Sequence, residues 1–474
     1  MADERFEEHL RHPQGHGAIP ADAVHASAGG SACGDLVRFG LTLDGTRVTA
    51  AGFEADGCGA LTAAASAAVE LIDGAPLLDA ARIGAPTIAA ALGGLSTGKL
   101  HAADLVSDAL HQALGAAARS GAALDPSPDR TLVAMSGGVD SAVAALLCTR
   151  EPGAEVCAVT LELWRDPEND AEASCCSASA VRVARGLAHR MGLPHLTIDL
   201  RDEFRAGVVD PYLADHAAGL TPNPCVRCNG NVRLDAMVDL ADRLGAARLA
   251  TGHYARVSDG LLAHAADPAK DQTYMLAALA PATIARLHFP LGELTKPEVR
   301  EIAAAADLPV ARAPESQDLC FLAGTGKARF LERHGRLRDR EGAIIDRDGR
   351  ELGRHRGHHH YTVGQRRGIG LSAPDADGLP EALYVLGTDA DANTVTVGPR
   401  EALSTTRVRL RDLTLHRPPE DVDAVKLRYR QRPLAARLDG EDVVLADPMD
   451  GAAPGQAAVL LAGEHIVGSA WIRG

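Results

Sequence analysis

Aromatic residues are scarce in this chain: Phe, Tyr and Trp together make up 3% of its 474 residues. Alanine and glycine are abundant, and 46% of the residues are hydrophobic, which favours helices packed on sheets over a disordered chain. The sequence lacks an apolar run of membrane-spanning length, so we expect no membrane contact. Its first residues are charged, which argues against a secretory signal or transit peptide and predicts a cytoplasmic protein.

The chain is longer than one hydrophobic core usually serves, which predicts two to four domains. Its formal net charge of −15 argues against a nucleic-acid partner, but the charge is unevenly distributed. Residues 1–130 hold 8 Lys and Arg against 16 Asp and Glu, whereas residues 327–368 hold 12 against 6. An acidic first part and a basic segment indicate separate partners for separate domains.

Nine cysteines in a chain without an export signal are expected to be thiols, metal ligands or catalytic groups. Cys148 and Cys157 fall in an apolar helix and an apolar strand, so we predict that both are core residues. We interpret the adjacent Cys175 and Cys176 as thiols of a loop or a helix start. The run from His358 to His360 would alternate faces in a strand, which favours an RNA-facing or solvated role over a metal site.

The organisation of the chain changes twice along its length. The first part combines alternating strands with Ala-rich helices and is typical of a small α+β domain. Short apolar strands then alternate with helices, which predicts a doubly wound parallel sheet with a ligand site at the carboxyl ends of its strands. Short strands with turns dominate after about residue 330. The predicted segments are an α+β domain at 1–120, a linker at 121–130, an α/β domain at 131–325, a small β domain at 326–395 and a C-terminal β-barrel at 396–474.

The strand that ends near Met135 is followed by SGGVDS, Ser136 to Ser141, and then by an Ala-rich helix. The glycines let the backbone turn and present its amides, and the helix N-terminus adds partial positive charge, so the loop suits a pyrophosphate. Asp140 is a candidate Mg²⁺ ligand. No lysine follows as in a Walker motif, which argues against a γ-phosphate hydrolase. The loop resembles that of the ATP-pyrophosphatase family, which implies adenylation of an oxygen with release of pyrophosphate.

Motifs further along the chain extend this resemblance. TPNPCVRCN begins at Thr221, ATGHYAR at Ala250, KDQ at Lys270, ESQDLCF at Glu315 and YTVGQRRGIG at Tyr361. With the SGGVDS loop, they resemble the tRNA 2-thiouridylase (MnmA) family from about residue 130 to the C-terminus. The resemblance implies that ATP adenylates the C2 oxygen of the wobble uridine of tRNA, and that sulfur from a sulfur donor protein then displaces AMP.

The same resemblance implies roles for individual residues. Cys320 matches the persulfide-bearing position, and Cys228 matches the other catalytic cysteine. The implied ATP-binding residues are Ala134, Met135, Ser136, Gly137, Gly138, Val139, Asp140, Ser141, Leu161 and Gly252. The implied tRNA-binding residues are Asn223, Pro224, Cys225, His253, Lys270, Asp271, Gln272, Arg428, Tyr429 and Gln456.

Cys225 stands where many members of that family carry Asp. With Cys228 and Cys320 it provides three thiolates, enough to hold a [4Fe-4S] cluster with one iron open to sulfide, and we predict that all three are catalytic. A CxxC pair also fits a zinc knuckle, a redox pair or two buried thiols. The nucleotide loop favours the catalytic or cluster role.

The N-terminal part carries a second resemblance. The segments around Cys33 to Asp35, Asp56 to Cys58 and Lys99 to His101 resemble the iron-sulfur scaffold family of IscU and the NifU N-terminal domain, over about residues 10–118. The resemblance implies a Zn²⁺ or iron-sulfur site whose ligands are Cys33, Asp35, Cys58 and His101. Ala102 stands where that family has a third cysteine, so a docking module without a cluster is the alternative.

These observations favour an enzyme, a tRNA uridine 2-sulfurtransferase. One alternative is an iron-sulfur or metal carrier with a regulatory ATP-binding domain. Another is an ATP-dependent enzyme that acts on a small molecule. The long β-rich tail argues against a small substrate, which needs no extended surface.

Overall fold

The computed structural model describes residues 2–30, 34–166, 178–314, 319–322, 324–374 and 380–474. The N-terminal part is an α+β domain, as predicted, with three antiparallel strands in the order β1-β2-β3. Helices α2 and α5 pack on each other through many buried alanines, whose small side chains permit close approach. Its elements are α1 (Ala2–Arg11), β1 (Val24–Gly29), β2 (Leu36–Leu43), β3 (Val48–Asp56), α2 (Gly59–Ile72), α3 (Leu77–Ala80), α4 (Ala85–Ala91) and α5 (Leu100–Gly121).

Strands and helices then alternate. Five parallel strands form a sheet in the order β10-β7-β4-β5-β6, which confirms the predicted doubly wound fold and puts β4 at its centre. The elements are β4 (Ser127–Ala134), α6 (Val139–Thr149), β5 (Glu155–Glu162), α7 (Ala178–Arg190), β6 (His195–Asp199), α8 (Arg201–Phe204), α9 (Asp210–Ala217), α10 (Pro224–Cys228), α11 (Leu234–Arg243), β7 (Ala246–Thr251), β8 (Arg256–Ser258), β9 (Leu261–Ala263), α12 (Thr273–Leu276), α13 (Pro281–Ile284), β10 (Leu287–His288) and α14 (Lys296–Ala305).

The remaining part is rich in β-strands, as predicted. Strands β12-β11-β16-β15 form one sheet, and β17-β20-β19-β18-β21-β22 close into a barrel because β17 also pairs with β22. The elements are α15 (Lys327–Gly335), β11 (Gly342–Ile345), β12 (Glu351–His355), β13 (Ser372–Pro374), β14 (Pro380–Ala382), β15 (Tyr384–Asp389), β16 (Thr394–Gly398), β17 (Ser404–Leu415), β18 (Ala424–Lys426), β19 (Leu434–Asp439), β20 (Asp442–Asp450), β21 (Ala457–Ala462) and β22 (His465–Ile472).

The chain forms two compact units. The first comprises residues 1–201, 236–253 and 286–321, and the second comprises residues 202–235, 254–285 and 322–474. The first therefore holds the N-terminal domain and the parallel sheet, and the second holds both β-rich domains. Among the described residues, no helix is both long and apolar enough to cross a bilayer.

The connection between the N-terminal domain and the sheet is shorter than the linker predicted at 121–130. Helix α5 continues to Gly121, and β4 already begins at Ser127. The Gly, Pro and Asp residues of this stretch suggested a loop, but β4 tolerates them because its register against β7 shifts between Ser127 and Thr131.

Within the first unit, α5 runs alongside β6, the edge strand of the parallel sheet. His111 Nδ1 lies 2.7 Å from the carbonyl oxygen of His195, and Arg119 donates to the carbonyl oxygen of Asp199 at 2.9 Å. Between these contacts, a Cβ on Gly115 would overlap the carbonyl oxygen of Thr197. Helix α5 thus serves both as a core helix of the N-terminal domain and as the cover of this sheet edge.

Candidate functional site

The loop at Ser136 to Gly138 joins β4 to α6 at the carboxyl end of the central strand. Gly137 has a φ of +79°, which strains other L residues, and a Cβ there would lie 2.9 Å from the carbonyl oxygen of Ala180. Ser141 Oγ accepts a hydrogen bond from the Ser136 amide at 3.1 Å and donates one to the Gly138 carbonyl at 3.0 Å. These bonds hold the loop against the N-terminus of an 11-residue helix, an arrangement that suits a phosphate.

Lys296 reaches this loop from α14. Its Nζ lies 2.7 Å from each carboxylate oxygen of Asp140, and its side chain is only 9% exposed. A buried cation in the first turn of a helix is unfavourable by itself, because it loses hydration and opposes the helix dipole. The negative charge of Asp140 compensates for the lost hydration and for the unfavourable interaction with the helix dipole. Lys296 is not among the residues predicted from sequence.

The signal for Lys296 is nevertheless present in the sequence. Thr295 and Glu298 form a capping box that starts α14, with Lys296 and a proline in the first helical positions. A helix start of this kind usually favours acidic residues, so a lysine there indicates an anionic partner elsewhere in the fold.

The strands on either side of β4 hold the loop. Met135 donates its amide to Val159 on β5 at 2.8 Å, and Leu161 on the same strand is buried. Gly252 follows β7, and a Cβ there would lie 2.7 Å from the Ser141 amide nitrogen, closer than real Cβ contacts allow. The predicted nucleotide positions therefore cluster around one loop.

Cys225 and Cys228 lie in the second unit on α10, a helix of little more than one turn. Its first turn is capped by the Asn223 side chain, which accepts a hydrogen bond from the Val226 amide at 3.3 Å, and Pro224 occupies the first helical position. Residues three apart in a helix are neighbours on its surface, so the CxxC spacing puts both sulfur atoms on one side. Cys225 is half-buried and Cys228 is buried.

Cys320 lies in a turn of the first unit and is half-buried. The preceding motif residues 315–318, like Cys175 and Cys176, lie outside the described residues. Cys148 and Cys157 are buried as predicted, and burial raises the pKa of each thiol to about 12. Both therefore stay protonated near neutral pH and are poor nucleophiles.

Two of the predicted tRNA-binding residues use their side chains within the second unit. Asp271 is buried and accepts hydrogen bonds from the Ala265 amide at 3.1 Å and from Thr273 Oγ1 at 2.8 Å. Burial by itself raises the pKa of Asp271, but hydrogen bonds from His264 and these groups outweigh it and hold the pKa below its ordinary value. Gln272 Oε1 accepts from the Tyr254 amide at 2.9 Å. These two side chains act as supports of their loop.

The predicted tRNA-binding residues of the barrel also make internal bonds. Arg428 and Tyr429 lie in the turn after β18, not in a strand, and Arg428 donates to the carbonyl oxygens of Asp450 and Gly451 at 3.0 and 2.7 Å. Gln456 Nε2 donates to the Thr221 carbonyl at 2.7 Å and so fixes the segment that leads to Asn223. In the first unit, His253 Nδ1 lies 2.7 Å from Thr251 Oγ1.

Asp35, Cys58 and His101 converge in the N-terminal domain. Asp35 Oδ2 lies 3.1 Å from His101 Nε2 and 3.5 Å from Cys58 Sγ. Ligands of one tetrahedral zinc ion are roughly 3.5 Å apart, so the three atoms fit a single ion. Burial raises the pKa of Asp35, but hydrogen bonds from Cys58 and His101 lower it overall. Cys33 lies outside the described residues, and Ala102 is fully buried.

Ion pairs join α5 to α7 in the same unit. Asp108 accepts from Arg182 Nε at 2.7 Å and also from Arg185, and both Asp108 and Arg185 are buried. Gln112 on α5 donates to Glu162 at the end of β5 at 2.8 Å. A buried pair that loses one partner leaves an uncompensated charge, so these contacts make the domain interface sensitive to substitution.

Three histidines pack together in this interface. The ring centroids of His111, His189 and His195 lie 5.1 to 6.4 Å apart. Burial lowers the pKa of His189 to about 4, and burial, with Arg185 nearby, holds the pKa of His111 well below its ordinary value. The interface therefore contains neutral rings near neutral pH.

Four family descriptions match consecutive parts of this chain. The NifU-like N terminal domain matches residues 2–120, and the tRNA methyl transferase HUP domain matches residues 129–324. The tRNA methyl transferase PRC-barrel domain matches residues 328–399, and the aminomethyltransferase beta-barrel domain matches residues 406–472.

Curated proteins match with high coverage. The bifunctional protein NifU/MnmA of Rubrobacter xylanophilus is 43% identical over 483 residues, which is 98% of this chain and 97% of that protein. The tRNA-specific 2-thiouridylase MnmA of Thermus thermophilus is 43% identical over 73% of this chain and 95% of its own length. Among solved structures, the U34-tRNA thiolase NcsA from Methanococcus maripaludis has a TM-score of 0.29 at 16% identity, over 41% of this chain and 62% of that chain, a likeness too distant to support a conclusion.

Proposed function

Because the chain belongs to the family of tRNA-specific 2-thiouridylases, in the form fused to a NifU-like domain, we propose that it is an ATP-dependent tRNA uridine 2-sulfurtransferase. Both resemblances inferred from the sequence are thereby confirmed. The observation that supports the function best is the 43% identity to a bifunctional NifU/MnmA protein over 98% of the chain. The proposed product is 2-thiouridine at the wobble position of tRNA, formed in the cytoplasm.

In the first step, the C2 oxygen of the uridine attacks the α-phosphorus of ATP. A bond forms between these two atoms, the bond to the bridging oxygen breaks, and pyrophosphate leaves. The loop from Ser136 to Ser141 binds the pyrophosphate through backbone amides and hydroxyls, and Lys296 neutralises part of its charge. Asp140 offers a carboxylate to Mg²⁺, which neutralises phosphate charge when it is bound.

In the second step, a sulfur nucleophile attacks C2, and AMP leaves as the bond between C2 and oxygen breaks. On the persulfide route, the outer sulfur of a Cys320 persulfide bonds to C2, and the thiolate of Cys228, the second catalytic cysteine, then attacks the Cys320 sulfur. The S–S bond to the transferred sulfur breaks, 2-thiouridine leaves and a Cys228–Cys320 disulfide remains, which a thiol reductant reduces before the next turnover. The alternative route uses Cys225, Cys228 and Cys320 as ligands instead, because three thiolates are a donor set that suits a [4Fe-4S] cluster with an open iron. A cluster held by these residues would supply sulfide as the nucleophile.

The tRNA contacts are proposed to come from the loop at Asn223 and Pro224, from His253 and Lys270, and from the turn at Arg428 and Tyr429. A guanidinium and a neighbouring ring suit a phosphate and a stacked, unpaired anticodon base. Cys225, Asp271, Gln272 and Gln456 are also proposed tRNA contacts, and the internal hydrogen bonds of the last three hold the same segments in place.

The N-terminal domain is proposed to bind Zn²⁺ or an iron-sulfur centre through Asp35, Cys58 and His101, with Cys33 as the fourth ligand. The convergence of the first three residues supports this set. When bound, the centre supplies iron, sulfide or a structural link to a sulfur donor protein, which is the second proposed partner beside tRNA.

The test is nucleoside analysis of tRNA from cells that lack this chain. We expect 2-thiouridine to disappear, to return with the parent chain, and not to return with Asp140→Ala or Ser136→Ala. Loss of pyrophosphate release in both variants, with tRNA affinity retained, assigns the defect to the activation step. Unchanged 2-thiouridine in the deletion strain would favour the metal-carrier alternative.

A further inference from the structure

The three consecutive histidines form a 3-10 turn, His358–His360, and not the strand predicted from sequence. Gly357 permits this turn because its extended backbone, with a φ of 159°, leads directly into it. The rings of His359 and His360 stand with their centroids 4.2 Å apart, whereas His358 Nε2 lies 3.2 Å from the carbonyl oxygen of Ala217. The alternation that argued against a metal site is therefore absent.

Asp339 completes a group with two of these histidines. Its Oδ1 lies 2.8 Å from His360 Nε2, and one ligand atom each of Asp339, His359 and His360 lies within 4.8 Å of the others. The β11-β12 hairpin brings them together, because Gly342 near its start pairs with His355 near its end. Residues that flank the open end of a hairpin lie opposite each other.

His359 is the most informative member of this group. It is 5% exposed, and among the described residues its ring has no hydrogen-bond partner. The confined ring keeps one of its nitrogens within 4.8 Å of ligand atoms of Asp339 and His360. A Cβ on Gly357 would lie 2.6 Å from His359 Cε1, which shows how closely the backbone confines the ring.

The second oxygen of Asp339 has a different neighbour. Arg356 Nη1 lies 3.6 Å from Oδ2, so the guanidinium orients the carboxylate while Oδ1 faces the histidine. Carboxylate ligands of metals are commonly held by such an outer partner.

We propose that Asp339, His359 and His360 bind a divalent transition-metal ion of the Zn²⁺ type. Two imidazoles and one carboxylate are a ligand set of zinc sites that keep a fourth position open. Tetrahedral ligation puts such ligand atoms roughly 3.4 Å apart, so the 2.8 Å contact between Asp339 and His360 opens by about 0.6 Å as the ion replaces the shared proton. The ion fastens the two ends of the β11-β12 hairpin to each other.

The test is equilibrium dialysis of the full-length chain against Zn²⁺, with Asp339→Asn and His360→Gln compared with the parent. We expect each variant to bind one equivalent less than the parent. The Asp339 side chain is 53% exposed, so its substitution leaves the fold intact. The matched control is His358→Gln, which changes an adjacent histidine outside the group and keeps the parent stoichiometry. Zinc that binds at other sites of the chain contributes equally to the parent and to each variant, so it does not affect the difference in stoichiometry.

A second readout locates the ion. Zn²⁺ should protect His360 of the parent from diethylpyrocarbonate, measured by peptide mass spectrometry, and should not protect it in the Asp339→Asn variant. Equal zinc stoichiometry in the parent and both ligand variants overturns the proposal. An equal loss in His358→Gln overturns it too, because the binding would then not depend on the three named residues.

Discussion

Lys296 and Asp140 form a part-buried ion pair between the start of α14 and the nucleotide loop, with Nζ 2.7 Å from both carboxylate oxygens. The two residues are 156 positions apart in the chain. The loop lacks the lysine that follows a Walker motif, and the fold supplies an ammonium group from another helix. We expect Lys296 to exchange one carboxylate oxygen for a phosphate oxygen when ATP binds.

Substitution of Lys296 by Met should slow pyrophosphate release on the order of 10²-fold, because it removes a preorganised cation from the developing charge. The affinity for tRNA should change little. The matched control is Lys426→Met, since Lys426 is also buried and lies 3.6 Å from Asp271 in the other unit. That variant should lose stability but keep the chemical step when tRNA is saturating. Equal rates of pyrophosphate release for Lys296→Met and the parent would remove Lys296 from the mechanism.

Docking of α5 on β6 should depend on Gly115. Gly115→Val forces a side chain into the Thr197 carbonyl, and overpacking of this kind costs about 1–3 kcal/mol. We expect a lower melting temperature and faster proteolysis in residues 122–126. The control is Gly186→Ala, also in a helix interior, where a Cβ meets no atom within 4 Å.

The contacts between α5 and β6 also predict that deletion of residues 1–120 destabilises the first unit. A fully stable truncated protein would contradict this.

Acid should weaken the first unit through His189. Its pKa is about 4 in the fold and 6.5 ordinarily, so the unfolded chain takes up a proton first as the pH falls. The stabilisation that the neutral His189 side chain gives to the fold is complete above pH 6.5 and is lost toward pH 4. This loss lowers the free energy of unfolding by about 3 kcal/mol. His189→Gln should flatten the pH dependence of urea unfolding over this range. His25→Gln, a change at an exposed histidine, should follow the parent curve.

Substitution of Cys225 should distinguish the [4Fe-4S] cluster route of sulfur transfer from the persulfide route. In full-length protein carrying Cys58→Ala, which removes a ligand of the N-terminal site, anaerobic reconstitution should give iron, sulfide and broad visible absorption. Cys225→Ala should lose all three together with thiolation, because two thiolates do not replace three. A colourless protein that still thiolates tRNA with a persulfide on Cys320 would refute the cluster and leave the persulfide route.

The sequence determined the features that depend on neighbouring residues. The loop from Ser136 to Ser141 could be predicted because glycines, serines and the following helix act within a few positions of one another. The parallel sheet and the β-rich tail followed from strand and helix periodicity. Burial of Cys148 and Cys157 followed in the same way, since each sits in an apolar segment.

The tertiary structure decided what depends on residues far apart in the chain. The partner of Lys296 is set by the path that returns α14 to the loop, and no local pattern encodes that path. Likewise, the conformation of His358 to His360 depends on the hairpin that precedes it. The sequence predicted a strand here, and the structure has a 3-10 turn. The role of α5 was hidden for the same reason, because its periodicity shows that one face is buried but not that β6 lies against it.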